Sequence, residues 1–438
     1  MRPRYDMRGR WLVGWALAWA ATGCVGDMGP GTATEAPGDD DHAFGVTVGG
    51  PHGETTTGSG PSSGSGAGSP AGGSEGGSSA SGAGAAGGGG NGASGGNGSS
   101  GGSTGSAGGG QGGGGASSPG PCPSGVICVD TFPYAHSGST TNAASDQFDS
   151  YGCGPQNASG PEVIYRIDVP DDGFAWLDLS NVPSGVDVDV HLLGSLNPND
   201  CIDRGHWDAG SLLAPGRYFV TVDTWVDGNG NEYDGPYGLR IGLTTVQDLQ
   251  SWGMNASVAY DALHAFDEAW RRDEVDTTGY AVVDFNLHAS QRRMWVFDVF
   301  DASLAYHTHT TVGEMSDPNI DGWATAFSNT SGSHQSSLGM MKGGELYSGN
   351  FGASMRLDGL EPGYNTNVRN RAIVMHPWNG SAPAYVAQNP GVGAYPTWGC
   401  LGMDPALANP IRQFLSGGGL VLSHFVDGNW SVNSSYLP

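Results

Sequence analysis

A thiol and an imidazole stand in one C-terminal segment of this chain: His376 ends the apolar run Arg371-Ala372-Ile373-Val374-Met375-His376, and Cys400 ends Thr397-Trp398-Gly399-Cys400. A cysteine at its free pKa of about 8.5 is mostly protonated at neutral pH, so a neighbouring imidazole raises the thiolate fraction that attacks acyl groups. Gly399 lets the backbone turn tightly beside the thiol, and backbone N–H groups around Gly399 and Cys400 would hold the oxyanion of a tetrahedral intermediate. The pair predicts cysteine-based acyl transfer. The competing reading is a buried structural cysteine or half of a disulfide.

The cysteine inventory bears on that choice. The six cysteines are Cys24, Cys122, Cys128, Cys153, Cys201 and Cys400. Arg2, Arg4, Arg8 and Arg10 precede the apolar run from Trp11 to Ala21, and Thr22-Gly23-Cys24 follows, which is the pattern of a secretory signal over residues 1–23. The ending Ala21-Thr22-Gly23-Cys24 resembles the bacterial lipobox and implies acylation of Cys24. The apolar run is too short to span a bilayer. In an exported chain Cys122, Cys128, Cys153 and Cys201 can form two disulfides by any of three connectivities, which sets Cys400 apart as the candidate nucleophile.

These residues need elements to position them. Residues 24–121 are read as a linker, because from about Gly49 to Gly120 the chain is almost entirely Gly, Ser, Ala and Thr and has too little apolar surface to offset chain entropy. Its root-mean-square span would be about 45 Å. Residues 122–245 carry short alternating runs, among them 163–169, 174–179, 186–192 and 217–223, separated by turns such as Pro170-Asp171-Asp172-Gly173. That pattern predicts an antiparallel, jelly-roll-like β-sandwich. Asp227-Gly228-Asn229-Gly230-Asn231-Glu232-Tyr233-Asp234 has oxygen side chains at alternate positions as calcium loops do, but a polar hairpin turn explains it better. His191 and His206 read as ordinary sandwich or surface residues. Residues 246–438 open with a helix whose Val258, Leu263, Phe266 and Trp270 recur near helical spacing, and strands return at 280–285, 294–299 and 420–425. The fold class expected is mainly β, with a β-sandwich followed by a β-rich domain that has one packed helix.

The order of the sandwich runs over 150–243 is similar to that of the bacterial pre-peptidase C-terminal domain, which implies a binding or spacing module. From Val282 to Phe425 the chain resembles the murein L,D-transpeptidase catalytic-domain family. The motifs that carry this are Phe327-Ser328-Asn329, Ser336-Ser337-Leu338-Gly339, Tyr347-Ser348-Gly349, Gly352-Ala353-Ser354, Gly359-Leu360, Asn365, Arg369-Asn370-Arg371-Ala372-Ile373 and His376, in that order, with Trp398-Gly399-Cys400 after them. The resemblance implies a nucleophilic Cys400, a basic His376 and oxyanion donors near Gly399. It further implies that Ser328, Ser337, Thr397, Trp398 and His309 line the substrate cleft. The family's Arg before the Ser-Trp-Gly-Cys segment is Pro396 here, which leaves Arg369 or Arg371 as the expected partner of a substrate carboxylate. His307 and His309 lack an evident third ligand, and no metal or other cofactor is expected.

The implied reaction is attack of Cys400 on the carbonyl before a terminal D-Ala of a peptidoglycan stem, release of D-Ala, and resolution of the thioester by an amine or by water. The net charge of −26 argues against nucleic acid as a partner. The expected setting is a bacterial envelope membrane, the outer membrane for preference, reached only through a lipid on Cys24 and facing periplasm or cell surface, with secretion as the alternative. A non-catalytic wall-binding or adhesion lipoprotein is the competing class.

Overall fold

The computed structural model describes residues 120–438. The leader, Cys24 and nearly all of the glycine-rich tract lie outside the described residues. The fold is mainly β, as the alternating runs predict.

The first part holds two sheets. One has the order β1-β3-β8-β5-β6, built from β1 (Val126–Val129), β3 (Glu162–Val169), β8 (Gly216–Thr224), β5 (Val188–Leu193) and β6 (Cys201–Gly205). The other is β2-β9-β4-β7, from β2 (Tyr134–Ser139), β9 (Pro236–Thr245), β4 (Gly173–Ser180) and β7 (Asp208–Leu213). Alternate residues of both, such as Tyr165, Ile167, Val190, Val220, Leu177 and Ile241, meet in one buried cluster, as the faces of a sandwich do. Disulfides join Cys122 to Cys128 and Cys153 to Cys201.

The face of the first sheet that alternation would turn to water is instead covered. Glu162, Asp223 and Asp189 are cross-strand neighbours in one row over β3, β8 and β5, and all three are buried. Ser145 and Gln147 bond Glu162, and the Tyr151 hydroxyl donates to Asp223, so the segment before β3 lies over the row. Burial pushes the Asp223 carboxyl up to about 9. The reading of His206 as an ordinary surface residue needs correcting, because its Nδ1 is 3.1 Å from Asp189 and 3.3 Å from Asp187. These two carboxylates raise its pKa and, with the ring nitrogen, make a group able to hold a metal ion. The 227–234 segment is a hairpin turn: Asp227 Oδ1 accepts the N–H groups of Asn229 and Asn231, so the loop satisfies its own carboxylate.

The second part is built on an eight-stranded sheet of order β12-β11-β10-β17-β13-β14-β15-β16. Its strands are β10 (Gly279–Asp284), β11 (Met294–Asp298), β12 (Ser303–Thr308), β13 (Gly339–Gly349), β14 (Gly352–Gly359), β15 (Val374–Pro377), β16 (Leu401–Met403) and β17 (Leu420–His424). Past β12, Thr310 bridges to Met403 of β16, which brings the first and last strands together and nearly closes the sheet. Closure satisfies backbone groups that an open edge would expose. A short helix α1 (Val246–Ser251) with a Thr245 capping box precedes the expected helix, α2 (Ala256–Arg271), which buries Val258, Leu263, Phe266 and Trp270. A shorter α3 (Pro383–Gln388) and a second packed helix, α4 (Pro405–Leu415), join them, with α5 (Trp430–Asn433) near the end. The sequence reading has one packed helix because α4 is short and carries two prolines, one at its start and Pro410 inside.

The two parts share a core. Phe174 and Trp176 of β4 belong to the same buried cluster as Leu263, Phe266 and Trp270 of α2, and Trp270 Nε1 donates to Asp203 at 3.1 Å.

Candidate active site

The apolar run before His376 forms less strand than its composition suggests. Ala372 has a φ of 54°, and pairing begins only at Val374, where β15 runs parallel to β16 with His376 opposite Gly402. Cys400 directly precedes β16, so the thiol and the imidazole arrive on adjoining strands. Both residues are fully buried.

The turn that delivers Cys400 is fastened on all sides. Gly399 has a φ of 115°, and a Cβ there would lie 2.8 Å from the Gln335 carbonyl oxygen, so glycine is required both by conformation and by space. The hydroxyls of Thr311 and Thr397 donate to the Cys400 carbonyl at 2.9 and 2.7 Å. Ser336 donates to the Gly399 carbonyl at 3.1 Å, and the Gly399 N–H reaches Thr397 Oγ1 at 3.3 Å. The Cys400 sulfur accepts the Val374 N–H at 3.4 Å. No described cysteine is free and Cys400 is disulfide-bonded, so a nucleophilic role would require its reduction to the thiol.

His376 is held as a base. Its Nδ1 is 2.8 Å from the Pro377 carbonyl, which can only accept, so Nδ1 carries the proton and Nε2 presents a lone pair. That Nε2 is buried without a hydrogen-bond partner. Burial lowers the imidazole pKa, the Pro377 carbonyl opposes this and the Arg412 cation adds to the lowering. Phe351 stacks on the ring at 4.7 Å and Trp378 meets it edge-on at 5.9 Å.

His376 opens onto a cavity of about 260 Å³ whose walls include Phe351, Trp378, Tyr395, Trp398 and Glu314. Trp398 and Thr397, expected at the cleft, are there. Cys400 lies behind this lining. The other expected substrate contacts fall elsewhere. Arg369 is tied to Asp358 and Glu345, whose carboxylates raise its pKa, and it does not line the cavity. Arg371 donates to the Ser328 and Gln335 carbonyls, to Ser337 Oγ at 2.7 Å and to Ser333 Oγ at 3.0 Å, bracing the loop that passes under Gly399. Among the described residues no carboxylate is paired with it, and burial lowers its pKa to about 10. Ser328 and Ser337 serve that brace. His309 is buried with its Nδ1 unpartnered and lies outside the cavity lining, and His307 stacks on Trp295 and bonds the Arg292 carbonyl at 2.9 Å.

Two buried side chains on adjoining strands, a cysteine that reduction would turn into a thiol and an imidazole with its acceptor nitrogen unpartnered, fit acyl transfer, and comparison with known families agrees. Residues 250–424 match the L,D-transpeptidase catalytic domain. The match takes in His376, Gly399, Cys400 and the cavity walls, and covers less than half of the chain. Solved structures with which parts of the chain align include the Ldtfm-avibactam carbamoyl enzyme, at 14% identity over 34% of this chain and 50% of that one, with a TM-score of 0.20. They also include the pre-peptidase C-terminal domain of collagenase from Bacillus anthracis, at 17% identity over 28% and 96%, with a TM-score of 0.18. A third is PliG of Aeromonas hydrophila, a periplasmic inhibitor of g-type lysozyme, at 14% identity over 27% and 96%, with a TM-score of 0.19. No curated protein matches the chain.

Sequence reasoning missed several residues around this site. Glu314 and Phe351 enter the site from a loop and from the turn between β13 and β14, at positions with no periodicity to mark them. Thr311 sits two residues beyond the His309 that drew attention, and Ser336 belongs to a motif in which only Ser337 was singled out. Trp378 was legible in principle, because it follows the strand that ends in His376-Pro377.

Proposed function

We propose that the protein is a cell-wall L,D-transpeptidase that forms a thioacyl-enzyme on Cys400. The observation that carries this is the fixed tautomer of His376: Nδ1 is committed to the Pro377 carbonyl, and the unpartnered Nε2 is the one lone pair available to take the thiol proton. Cys400 thiolate attacks the carbonyl before the terminal D-Ala of a peptidoglycan tetrapeptide, and His376 returns the proton to the departing amine. D-Ala leaves and the thioester is resolved by an amine of a second stem, giving a 3→3 cross-link, or by water, giving L,D-carboxypeptidase activity. Gly399 supports the oxyanion geometry, Thr397 and Trp398 line the approach, and Arg371 positions the loop through Ser328 and Ser337. The reading places the chain outside the cytoplasm, anchored through a lipid on Cys24 to a bacterial envelope membrane.

The test is intact-mass spectrometry of the reduced full-length protein mixed with a tetrapeptide muropeptide, beside Cys400→Ala. An adduct of the stem less D-Ala on the wild type alone supports the reading. Binding to peptidoglycan with no adduct on either protein would overturn it in favour of a wall-binding protein.

A further inference from the structure

The cavity beside His376 has one acidic wall. Glu314 is fastened to the nucleophile's own turn, since its backbone N–H donates to the Thr397 carbonyl at 2.7 Å, so its place relative to Cys400 is set by the backbone. One carboxylate oxygen, Oε1, is 2.7 Å from Nδ1 of His334, whose ring stacks on Trp398 at 4.5 Å and 10°. The other oxygen has no hydrogen-bond partner among the described residues, and the side chain is 42% exposed. The same cavity is walled by the aromatic side chains of Trp398, Tyr395, Trp378 and Phe351. A carboxylate among aromatic faces attracts a cation twice over, by direct charge and by the ring quadrupoles, and repels an anion. His376, on the same cavity wall, has its pKa lowered by burial, which favours the neutral ring. Neither Arg369 nor Arg371 lines the cavity.

We propose that Glu314 is a specificity-determining residue that selects donor peptides whose attacked residue has an ammonium-ended side chain, with the aromatic walls packing its methylene groups. This rests on the acyl-transfer reading above. The ammonium remains protonated throughout, so the reacting amine and thiol keep the proton balance already described.

The test uses the reduced full-length protein and two tetrapeptide donors identical except at the third residue, L-lysine in one and Nε-acetyl-L-lysine in the other. The rate of thioacyl adduct formation is followed by intact mass across donor concentration. The wild type should favour the lysine donor by roughly tenfold, the size of one modest ion pair, mainly through KM. Glu314→Gln should bring that ratio towards one, and Glu314→Lys should invert it. A wild type that acylates both donors equally, or a ratio unmoved by Glu314→Gln, overturns the proposal while leaving acyl transfer standing. No adduct from either donor overturns both.

Discussion

His376 Nδ1 and the Pro377 carbonyl oxygen lie 2.8 Å apart, so the residue that follows the base in sequence also selects its tautomer. In many Cys-His sites a third side chain orients the imidazole. A backbone carbonyl does so here, and it cannot be removed by changing a side chain. It also brings no formal charge, so its pull on the ring proton is outweighed by burial.

The pH profile should show this. Burial lowers the His376 pKa below its usual 6.5, and the base works only when neutral. Activity limited by His376 is therefore complete above that lowered value and falls as pH drops through it. The acid limb of kcat/KM for acylation should lie below pH 6.5, and an acid limb near 7.5 would contradict a buried neutral base.

Gly399→Ala should abolish acylation. The substitution would put a Cβ 2.8 Å from the Gln335 carbonyl oxygen at a φ of 115°, where side chains are strained. The turn would have to move, and with it Cys400, by a few tenths of an ångström or more. A loss of kcat of about a hundredfold is expected from misplacement of the nucleophile. Retention of activity within a factor of three would show that the turn need not be rigid.

The two disulfides should differ in worth. Cys153 and Cys201 are separated by 48 residues and Cys122 and Cys128 by 6, so the first closes far more chain in the unfolded state. Loop-closure entropy gives about 4 kcal/mol for the longer loop and about 2 kcal/mol for the shorter. Denaturant unfolding of Cys201→Ser and Cys128→Ser would measure the order, and a larger loss in Cys128→Ser would reverse it.

Asp223, in the middle of the row of carboxylates in the sandwich, should make its own contribution to stability fall as pH rises. Asp223 is held protonated by burial up to about 9, whereas its unfolded value is 3.8. Between these values the unfolded chain binds fewer protons than the native one, so this group's contribution to unfolding free energy declines from pH 3.8 to about 9. Asp223→Asn removes the penalty and keeps a hydrogen-bonding amide. It should raise Tm at pH 8 by an amount worth on the order of a few kcal/mol and change it little near pH 4. Equal effects at both pH values would mean that Asp223 does not titrate with folding.

What the sequence revealed and what it withheld divide along physical lines. Strands with a clean period of two, such as 163–169 and 217–223, were legible because one face of each enters the core. The same alternation carries no sign that Asp189, Asp223 and Glu162 are buried. Periodicity shows which side chains share a face, but not that the segment before β3 will cover it. The candidate nucleophile and base were legible as a thiol, an imidazole and a glycine in one segment, a weak signal on spacing alone that the resemblance joined into one expected site. Glu314, Phe351 and Thr311 were not, because they arrive from distant loops by sheet closure, a long-range event that no local pattern encodes. Arg369 was a candidate, with Arg371, in place of the arginine that the resembled family carries where Pro396 stands, and it is paired with Asp358 on β14 and Glu345 on β13 and does not line the cavity.

The shared core between the sandwich and the second part sets a last expectation. Trp176 on β4 lies 5.0 Å from Trp270 and 6.1 Å from Phe266 of α2, and 5.9 Å from Phe300 just after β11. The Leu212 N–H of β7 donates to Asp267 at 2.8 Å, so polar contacts cross the same boundary. Removing 122–245 would expose this aromatic surface and leave Asp267 without the donor. Calorimetry of the full-length protein should show one cooperative transition for both parts, and Trp176→Ala should lower it as a unit, by roughly 3–5 kcal/mol for loss of a buried aromatic. Thioacylation of Trp176→Ala should fail at the same temperature as the fold. Two separate transitions, with Trp176→Ala moving only the sandwich, would instead mean that the catalytic part folds alone and that the sandwich can be deleted without loss of activity.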